Sequence, residues 1–143
     1  MSTFFTSDTH FFHTKITEYN PNRQWDTIEG MNEGIIERWN SVVKPTDTVF
    51  HLGDYDMNGK DKALDLVKRL NGTIVLIMGN HDKCWVGNKV SPEKLIFQQD
   101  RYRLAGFAAV LPWAQTKIGD EYVMLSHFPY FGDHMDKDRY DGY

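Results

Sequence analysis

The chain has 143 residues, of which 41% are hydrophobic, and a net charge of −4 at neutral pH. This length suits one domain, and the apolar content supports a packed core and excludes a disordered chain. The acidic balance gives no general attraction to nucleic acid or anionic membranes, which disfavours a large nucleic-acid groove but not a small phosphorylated substrate.

The first predicted elements alternate between strand and helix. Thr3 to Thr6 is a short β-prone run that ends at Ser7-Asp8, and a polar loop follows it. A helix is predicted to begin at Asp26, with Glu29 three positions later as a capping-box partner, and to stop at Lys44-Pro45. The apolar positions that recur at helical spacing, and so should face a sheet, are Ile28, Met31, Ile35, Trp39 and Val42.

The same alternation continues through the middle of the chain. Thr48 to Leu52 is predicted as the second strand and Lys60 to Leu70 as the second helix, which stops at Asn71-Gly72. The apolar run from Thr73 to Ile77 is typical of a strand that is buried on both faces. The order strand, helix, strand, helix, strand predicts a parallel sheet with right-handed crossovers.

Further short strands are predicted after residue 107. They cover Ala108 to Leu111, Thr116 to Ile118 and Glu121 to Leu125, and the last two form a hairpin around Gly119-Asp120. Parallel strands followed by an antiparallel hairpin, with helices between them, predict a layered α/β domain.

Residue types that bind metals follow four of the predicted strands, at the point where each strand ends. Ligands in open α/β sheets bind outside the carboxyl ends of the strands, so these clusters can converge on one edge. Carboxylate, imidazole and amide oxygen together favour Mn²⁺, Fe, Zn²⁺ or Ni²⁺ over Ca²⁺, and a carboxylate among histidines can bridge two ions about 3.5–4 Å apart. The clusters are Asp8-Thr9-His10, Gly53-Asp54, Gly79-Asn80-His81-Asp82 and Ser126-His127.

These four clusters, in this order, resemble the first four motifs of the calcineurin-like metallophosphoesterase family, from about residue 3 to residue 131. The segments Phe5 to His13, His51 to Asp54 and Leu125 to Pro129 are also similar to a small bacterial and phage branch of that family. The resemblance implies a layered α/β sandwich with mixed β-sheets flanked by helices, as one domain over residues 1–143. It also implies a phosphoesterase with two divalent ions, with manganese expected first and iron, zinc or nickel as alternatives.

The resemblance further implies which residues would hold the two metals. Asp8 and His10 would hold the first ion, and Asp54 would bridge both ions. Asn80 and His127 would hold the second. The ions would then activate a hydroxide for in-line attack on the phosphate.

Other motif residues would act in catalysis or contact the substrate. His81 would protonate the leaving group or steady the charge on the phosphate, and Asp82 would orient His81. Asn80 and His81 would lie beside the bound phosphate. His13 would either touch that phosphate or lie on a solvated loop, and the sequence leaves both readings open.

The sequence departs from the family pattern at its end. The family closes with Gly-His-x-His, which adds one ligand to each metal, and no such motif precedes Tyr143. Three interpretations follow: the natural chain continues further, the site is completed differently, or the site is weakened. We favour a natural chain that continues further. If the site is instead completed differently, His134 is a candidate replacement ligand, although an exposed histidine is the simpler interpretation of this residue.

Several residues have two readings. His51 lies on the second strand, so a structural role is favoured, and Lys60 and Lys62 suit a solvated helix face. Aromatic residues near the end of the chain could wall a pocket or pack in the core, and three arginines could meet a phosphate. These residues are Trp113, Tyr130, Phe131, Arg101, Arg103 and Arg139.

The favoured function is hydrolysis of small phosphate esters, most directly diesters such as cyclic nucleotides. One alternative is a non-catalytic scaffold that binds a protein partner, although a scaffold has no need of His81. A nuclease is the other alternative, and the acidic balance restricts it to short strands. The sequence leaves oligomeric assembly open.

The sequence also indicates a cellular compartment. Cys84 is the only cysteine, so an intrachain disulfide cannot form, which is typical of a reducing cytoplasm. The first 12 residues lack a basic start and carry Asp8 and His10, so no signal peptide is expected. No run approaches the ~18 consecutive apolar residues of a membrane span, so we expect a cytoplasmic protein with no membrane partner.

Overall fold

The computed structural model describes residues 1–57 and 59–129, and its centre is a four-stranded parallel sheet in the order β1-β2-β3-β4. A two-stranded antiparallel sheet, β5-β6, follows it in the chain. The elements are β1 (Thr3–Thr6), α1 (Ile16–Tyr19), α2 (Ile28–Val42), β2 (Thr48–His51), α3 (Asp61–Asp65), a 3₁₀ helix (Leu66–Arg69), β3 (Thr73–Ile77), α4 (Pro92–Ala105), β4 (Ala109–Leu111), β5 (Ala114–Ile118) and β6 (Glu121–Leu125).

The register of the parallel sheet brings the strand ends to one edge. Thr6 pairs with His51, His51 with Leu76, and Leu76 with Val110. Because all four strands run in the same direction, the loops that follow them leave the sheet on the same side. The predicted parallel order and the layered α/β class are confirmed. Among the described residues, the antiparallel strands form a sheet of their own and do not extend the parallel one.

Helix α2 begins one residue later than the capping-box pattern predicts. Thr27, not Asp26, caps it: Thr27 has an extended backbone and its side chain accepts a hydrogen bond from the Gly30 N–H at 3.0 Å. The predicted inward position Val42 is also wrong, because Val42 is 59% exposed while the following Val43 is buried. The buried face of the helix also includes a polar residue, Asn32.

The second predicted helix is divided. Residues Asp61–Asp65 are α-helical, and Leu66–Arg69 form a 3₁₀ helix, so the predicted helix over Lys60 to Leu70 is correct in position but not in type. Helix α4 was not predicted, because it has a weak apolar pattern and buries only Tyr102 among its residues.

The core lies between the parallel sheet and the helices. Its fully buried aromatic side chains include Phe11, Tyr55 and Tyr102, and Tyr55 packs edge-on against Phe107 with ring centroids 5.0 Å apart. Two of these aromatics, Phe11 and Tyr55, lie in the loops that carry the predicted metal ligands. Those loops are therefore anchored in the core. Within residues 1–57 and 59–129, no helix has the length and apolar character needed to cross a membrane.

Candidate metal centre

Three loops at the carboxyl edge of the sheet carry the predicted site residues. We call them the first loop (residues 7–13), the second loop (residues 52–57) and the third loop (residues 78–82). The first and second loops run side by side, since the backbone N–H groups of Asp8, His10 and Phe11 donate to the second loop at 2.9, 3.1 and 2.9 Å. This pairing extends the parallel alignment of β1 and β2 beyond the strands, and it places Asp8 and His10 beside Asp54.

The backbone of these paired loops is strained at the predicted ligands. Asp8, His10, Phe12 and Asp54 all have positive φ, between 50° and 58°. These are the four non-glycine residues with positive φ in the described parts of the chain. Such a conformation costs free energy and persists where surrounding contacts impose it, which is a common property of functional sites.

One group of donor atoms surrounds an oxygen of Asp54. The Nε2 atom of His10 lies 3.5 Å from Asp8 Oδ1 and 3.7 Å from Asp54 Oδ2. Metal–ligand bonds of about 2.0–2.2 Å place neighbouring ligand atoms roughly 3–3.5 Å apart, so these separations suit three ligands of one ion. The predicted first-metal ligands are thus brought together.

A second group of donor atoms surrounds the other oxygen of Asp54. His127 Nε2 lies 3.6 Å from Asp54 Oδ1 and 3.2 Å from Asn80 Oδ1. The structure therefore places the Asp54 carboxylate between the two groups, with one oxygen facing each. Donor atoms from Asp8, Asp54 and His127 also lie within 4.8 Å of one another, so the two groups are contiguous.

The chemistry of the second group fits a cation. The other ring nitrogen of His127, Nδ1, is 2.8 Å from the Leu52 carbonyl oxygen, to which it donates. With Nδ1 as the donor, Nε2 is the ring atom that can bind a cation, and it faces an acceptor, the amide oxygen of Asn80. The 3.2 Å separation of His127 Nε2 and Asn80 Oδ1 suits two ligands of one metal ion.

Asp82 contacts the backbone of the second and third loops. Its carboxylate accepts three backbone N–H bonds, from Asp54 at 3.0 Å, Tyr55 at 3.0 Å and Gly79 at 2.8 Å. It is fully buried, and among the described residues it makes no hydrogen bond to the ring of His81. Asp82 therefore joins the second and third loops and positions Asp54, while its predicted role of orienting His81 stays a prediction.

Two glycines allow the loops to approach this closely. A Cβ atom on Gly79 would lie 2.1 Å from Asp54 Oδ1, and a Cβ atom on Gly53 would lie 2.5 Å from His127 Nδ1. Gly53 also has a φ of 95°, which L-residues with side chains rarely adopt. The glycine in each of these motifs thus makes room for a ligand from another motif.

Burial controls the charge of the histidines in the first loop. Desolvation lowers the pKa of His10, against the opposing effect of Asp54 and Asp8, and it also lowers the pKa of His13. A lowered pKa keeps an imidazole neutral, which is the form that binds metals. Burial raises the pKa of Asp82 to about 8, while its backbone N–H donors oppose that rise.

His81 and His13 both lie next to the His10 ring. The ring centroids of His81 and His13 are 5.6 and 5.5 Å from that of His10. The His81 side chain is 39% exposed, and its Nε2 lies 3.9 Å from Asp54 Oδ2. His13 is only 8% exposed. The His13 side chain is thus largely buried beside His10, and its contact with substrate stays a prediction.

Two side chains that hold the first loop belong to no sequence motif and were not predicted. The guanidinium of Arg23 donates to the Thr9 carbonyl at 2.8 Å and to the Asp8 carbonyl, and Asn32 Oδ1 accepts from the Phe12 N–H at 3.2 Å. Arg23 follows the Asn20-Pro21-Asn22 turn signal, which gave no indication of its partner. A buried asparagine on an apolar helix face is the one signal that could have identified Asn32.

His51 supports the same loop from β2. It is fully buried, and Thr9 Oγ1 lies 3.0 Å from its Nε2 and donates to the Tyr55 carbonyl at 2.8 Å. Thr9 therefore accepts from the His51 N–H, and burial lowers the pKa of His51 to about 3. The structural role expected for His51 agrees with these contacts.

The remaining candidates lie away from the donor atoms or are already paired. Arg101 pairs with Asp61 at 2.5 Å, and Arg103 pairs with Asp100 at 2.9 Å. Trp113 is 58% exposed between β4 and β5. Lys60 is not merely part of a solvated face, because its Nζ donates to the Phe12 carbonyl at 2.8 Å. Four other candidates lie outside the described residues: Tyr130, Phe131, His134 and Arg139.

Comparison with known proteins agrees with this geometry. The model of the calcineurin-like phosphoesterase family matches residues 1–141. The chain belongs to this family. The resemblance drawn from the four motifs is therefore confirmed, and family membership supports a metal-dependent phosphoesterase, a class of hydrolase.

Individual relatives include phage and archaeal proteins. The Gene 66 protein of Mycobacterium phage L5 is 32% identical over 97% of this chain and 69% of that protein. An uncharacterized protein of Methanocaldococcus jannaschii is 48% identical over 79 residues, which are 54% of this chain and 44% of that protein. The chain thus spans less than half of one relative and about two thirds of the other.

A solved structure has the same fold. A protein of unknown function from Aquifex aeolicus matches with a TM-score of 0.63 and 27% identity, over 99% of this chain and 69% of that chain. The relation to phage proteins also confirms the bacterial and phage branch to which the flanking residues pointed. None of these three matches identifies a substrate.

Proposed function

We propose that the protein hydrolyses small phosphate esters, and diesters in particular, with two divalent metal ions. The observation that carries this proposal is the position of Asp54. Its Oδ2 faces His10 at 3.7 Å and its Oδ1 faces His127 at 3.6 Å, as a ligand shared by two ions would. Asp8 and His10 would hold one ion, and Asn80 and His127 would hold the other.

When bound, the ions would neutralise the phosphate charge. They would also lower the pKa of a bound water, so that hydroxide is available as the nucleophile near neutral pH. The chain's own residues position and confine that chemistry. Asp82 fixes the backbone of Asp54, and the paired loops hold His10 in a buried, neutral state. These constraints keep the ligands in place before substrate binds, which lowers the reorganisation needed during reaction.

His81 is the proposed general acid. Its backbone N–H donates to Asp54 Oδ1 at 3.0 Å, which fixes the residue at the edge of the donor cluster. Its side chain is partly exposed, so it can reach an ester bound from solvent. A proton held on His81 Nε2 would pass to the leaving oxygen as the phosphorus–oxygen bond breaks, and a diester needs such an acid because its leaving group is an alkoxide.

The proposal is tested by hydrolysis of bis-p-nitrophenyl phosphate and p-nitrophenyl phosphate, with Mn²⁺ and with chelator. Wild type should cleave the diester, and chelator should abolish the cleavage. Asp54→Asn should reduce kcat/KM by roughly 100-fold or more, since loss of a preorganised charged group in an active site has effects of that order. The bound manganese per chain, measured by elemental analysis, should fall from two ions to one or none.

A matched control uses a carboxylate outside the site. Asp65→Asn changes an exposed residue on α3 and should retain both activity and two bound ions. If Asp54→Asn cleaved the diester as fast as wild type, the bridging role would be wrong. If one ion per chain gave full activity, a two-metal mechanism would be excluded.

A second candidate function is binding of a protein partner, and one observation favours it. Helix α4 exposes Ile96, Phe97 and Leu104 by 58, 61 and 80%, on an element that carries none of the predicted ligands. Exposed apolar side chains of this size are common at protein interfaces. Absence of cleavage with every metal tested would favour this candidate over the enzyme.

A further inference from the structure

A groove opens beside the first loop, next to the donor atoms. It has a volume of about 280 Å³ and is lined by His13, Thr14, Lys15, Tyr19, Met57 and Lys60. None of these lining residues is acidic, although the chain as a whole has a net charge of −4. A groove that carries two lysines in an acidic protein indicates an anionic ligand.

The two lysines keep their charge available to such a ligand. In the described parts of the chain, neither Lys15 nor Lys60 lies within ion-pair distance of a carboxylate. Lys60 uses one donor on the Phe12 carbonyl at 2.8 Å, which fixes the ammonium group at the groove and leaves its other donors available. That contact also ties the groove to the loop that carries Asp8 and His10.

The imidazole ring of His13 both lines the groove and contacts the His10 ring. The His13 ring lies edge-on to the His10 ring with centroids 5.5 Å apart, and His10 Nε2 is 3.5 Å from Asp8. The His13 ring also lies edge-on to the Tyr19 ring, with centroids 6.1 Å apart, and Tyr19 is 69% exposed. His13 therefore connects the donor atoms to the groove that contains the two lysines and Tyr19.

We propose that this groove binds a second phosphate group of the substrate, so that the enzyme prefers esters with two phosphates over esters with one. The inference rests on the proposed function, because it assumes that the first phosphate lies at the donor atoms. Lys15 and Lys60 would bind the second phosphate, and Tyr19 would stack on a planar group such as a nucleobase.

The test compares the affinity of the Mn²⁺-loaded protein for adenosine diphosphate and adenosine monophosphate by calorimetry. Wild type should bind the diphosphate more tightly. Lys15→Gln should reduce that preference by up to about fivefold, which is the largest effect expected of one exposed ion pair. The double variant Lys15→Gln/Lys60→Gln should reduce it by about tenfold or more. Lys15→Gln isolates the charge effect, since no hydrogen bond to the first loop involves the Lys15 side chain.

Lys68→Gln is the matched control, because Lys68 is an exposed lysine on the 3₁₀ helix that does not line the groove. It should keep the preference of wild type. An unchanged preference in the double variant, or none in wild type, would overturn the inference even if ester hydrolysis is normal. A lysine-dependent preference without hydrolysis would uphold the phosphate site and contradict the proposed enzyme instead.

Discussion

The first and third loops both deliver metal-binding residues, but they are held in different ways. The first loop has positive φ at Asp8, His10 and Phe12, and its supports come from Arg23 and Asn32, which lie far along the chain. The third loop has no such non-glycine residue. Its shape is set within the motif itself, by Asp82 and Gly79.

The two loops therefore differ in which contacts stabilise them. The buried Asp82 carboxylate accepts three backbone bonds at once, one from the third loop and two from the second, so a single residue ties the third loop to the backbone of Asp54. In the first loop the strain is opposed by many contacts of ordinary strength, from side chains and from the paired second loop. We therefore expect one substitution, at Asp82, to disrupt the third loop. Single substitutions among the supports of the first loop should each cause a smaller loss of stability.

The largest expected effect is that of Asp82→Ala. It leaves three buried N–H groups without an acceptor, at roughly 1–3 kcal/mol each, so the free energy of unfolding should fall by about 4 kcal/mol. Urea unfolding of the metal-free protein measures this, with Asp65→Ala, at an exposed position, as the control. A loss below about 1 kcal/mol would show that the third loop does not depend on one residue.

A smaller effect is expected in the first loop, from Arg23→Met. This variant removes two hydrogen bonds to backbone carbonyls and should cost about 2 kcal/mol of unfolding free energy. Manganese affinity should fall as well, because Asp8 and His10 lose a support, and Arg23→Lys should restore part of both losses. If Arg23→Met bound manganese like wild type, the guanidinium would serve stability alone.

The same contrast explains what could be predicted from the sequence. Gly79, Asn80 and Asp82 form a compact motif after an apolar strand, and the third loop needs little beyond that motif. The parallel sheet followed from the alternation of strands and helices, because periodicity and turn residues are local signals. The convergence of ligands followed from the rule that such strands share a carboxyl edge.

The supports of the first loop could not be predicted in this way. Arg23 and Asn32 act 15 and 20 residues away from the backbone atoms that they bind, and neither belongs to a motif. Positive φ at Phe12 leaves no signature, since phenylalanine is not among the residue types that favour it. Helix α4 was missed for a related reason, because it presents few apolar residues to the core.

The smallest expected effect is a change in how the free energy of unfolding depends on pH. It involves His51, which supports the first loop through Thr9. Burial lowers the pKa of His51 to about 3, whereas the unfolded chain takes up that proton near pH 6.5. The unfolded state therefore binds more protons between these values, and stability is lost as the pH falls below 6.5, by up to about 1.4 kcal/mol per pH unit.

His51→Gln keeps a donor for Thr9 but cannot be protonated. The free energy of unfolding, measured with urea at several pH values from 7 to 5, should decline less steeply for this variant than for wild type. The difference between the two slopes should correspond to close to one proton. Equal slopes would mean that the folded protein accepts a proton on His51 as readily as the unfolded chain does. The support of Thr9 would then tolerate a charged ring, and the first loop would keep its shape in acid.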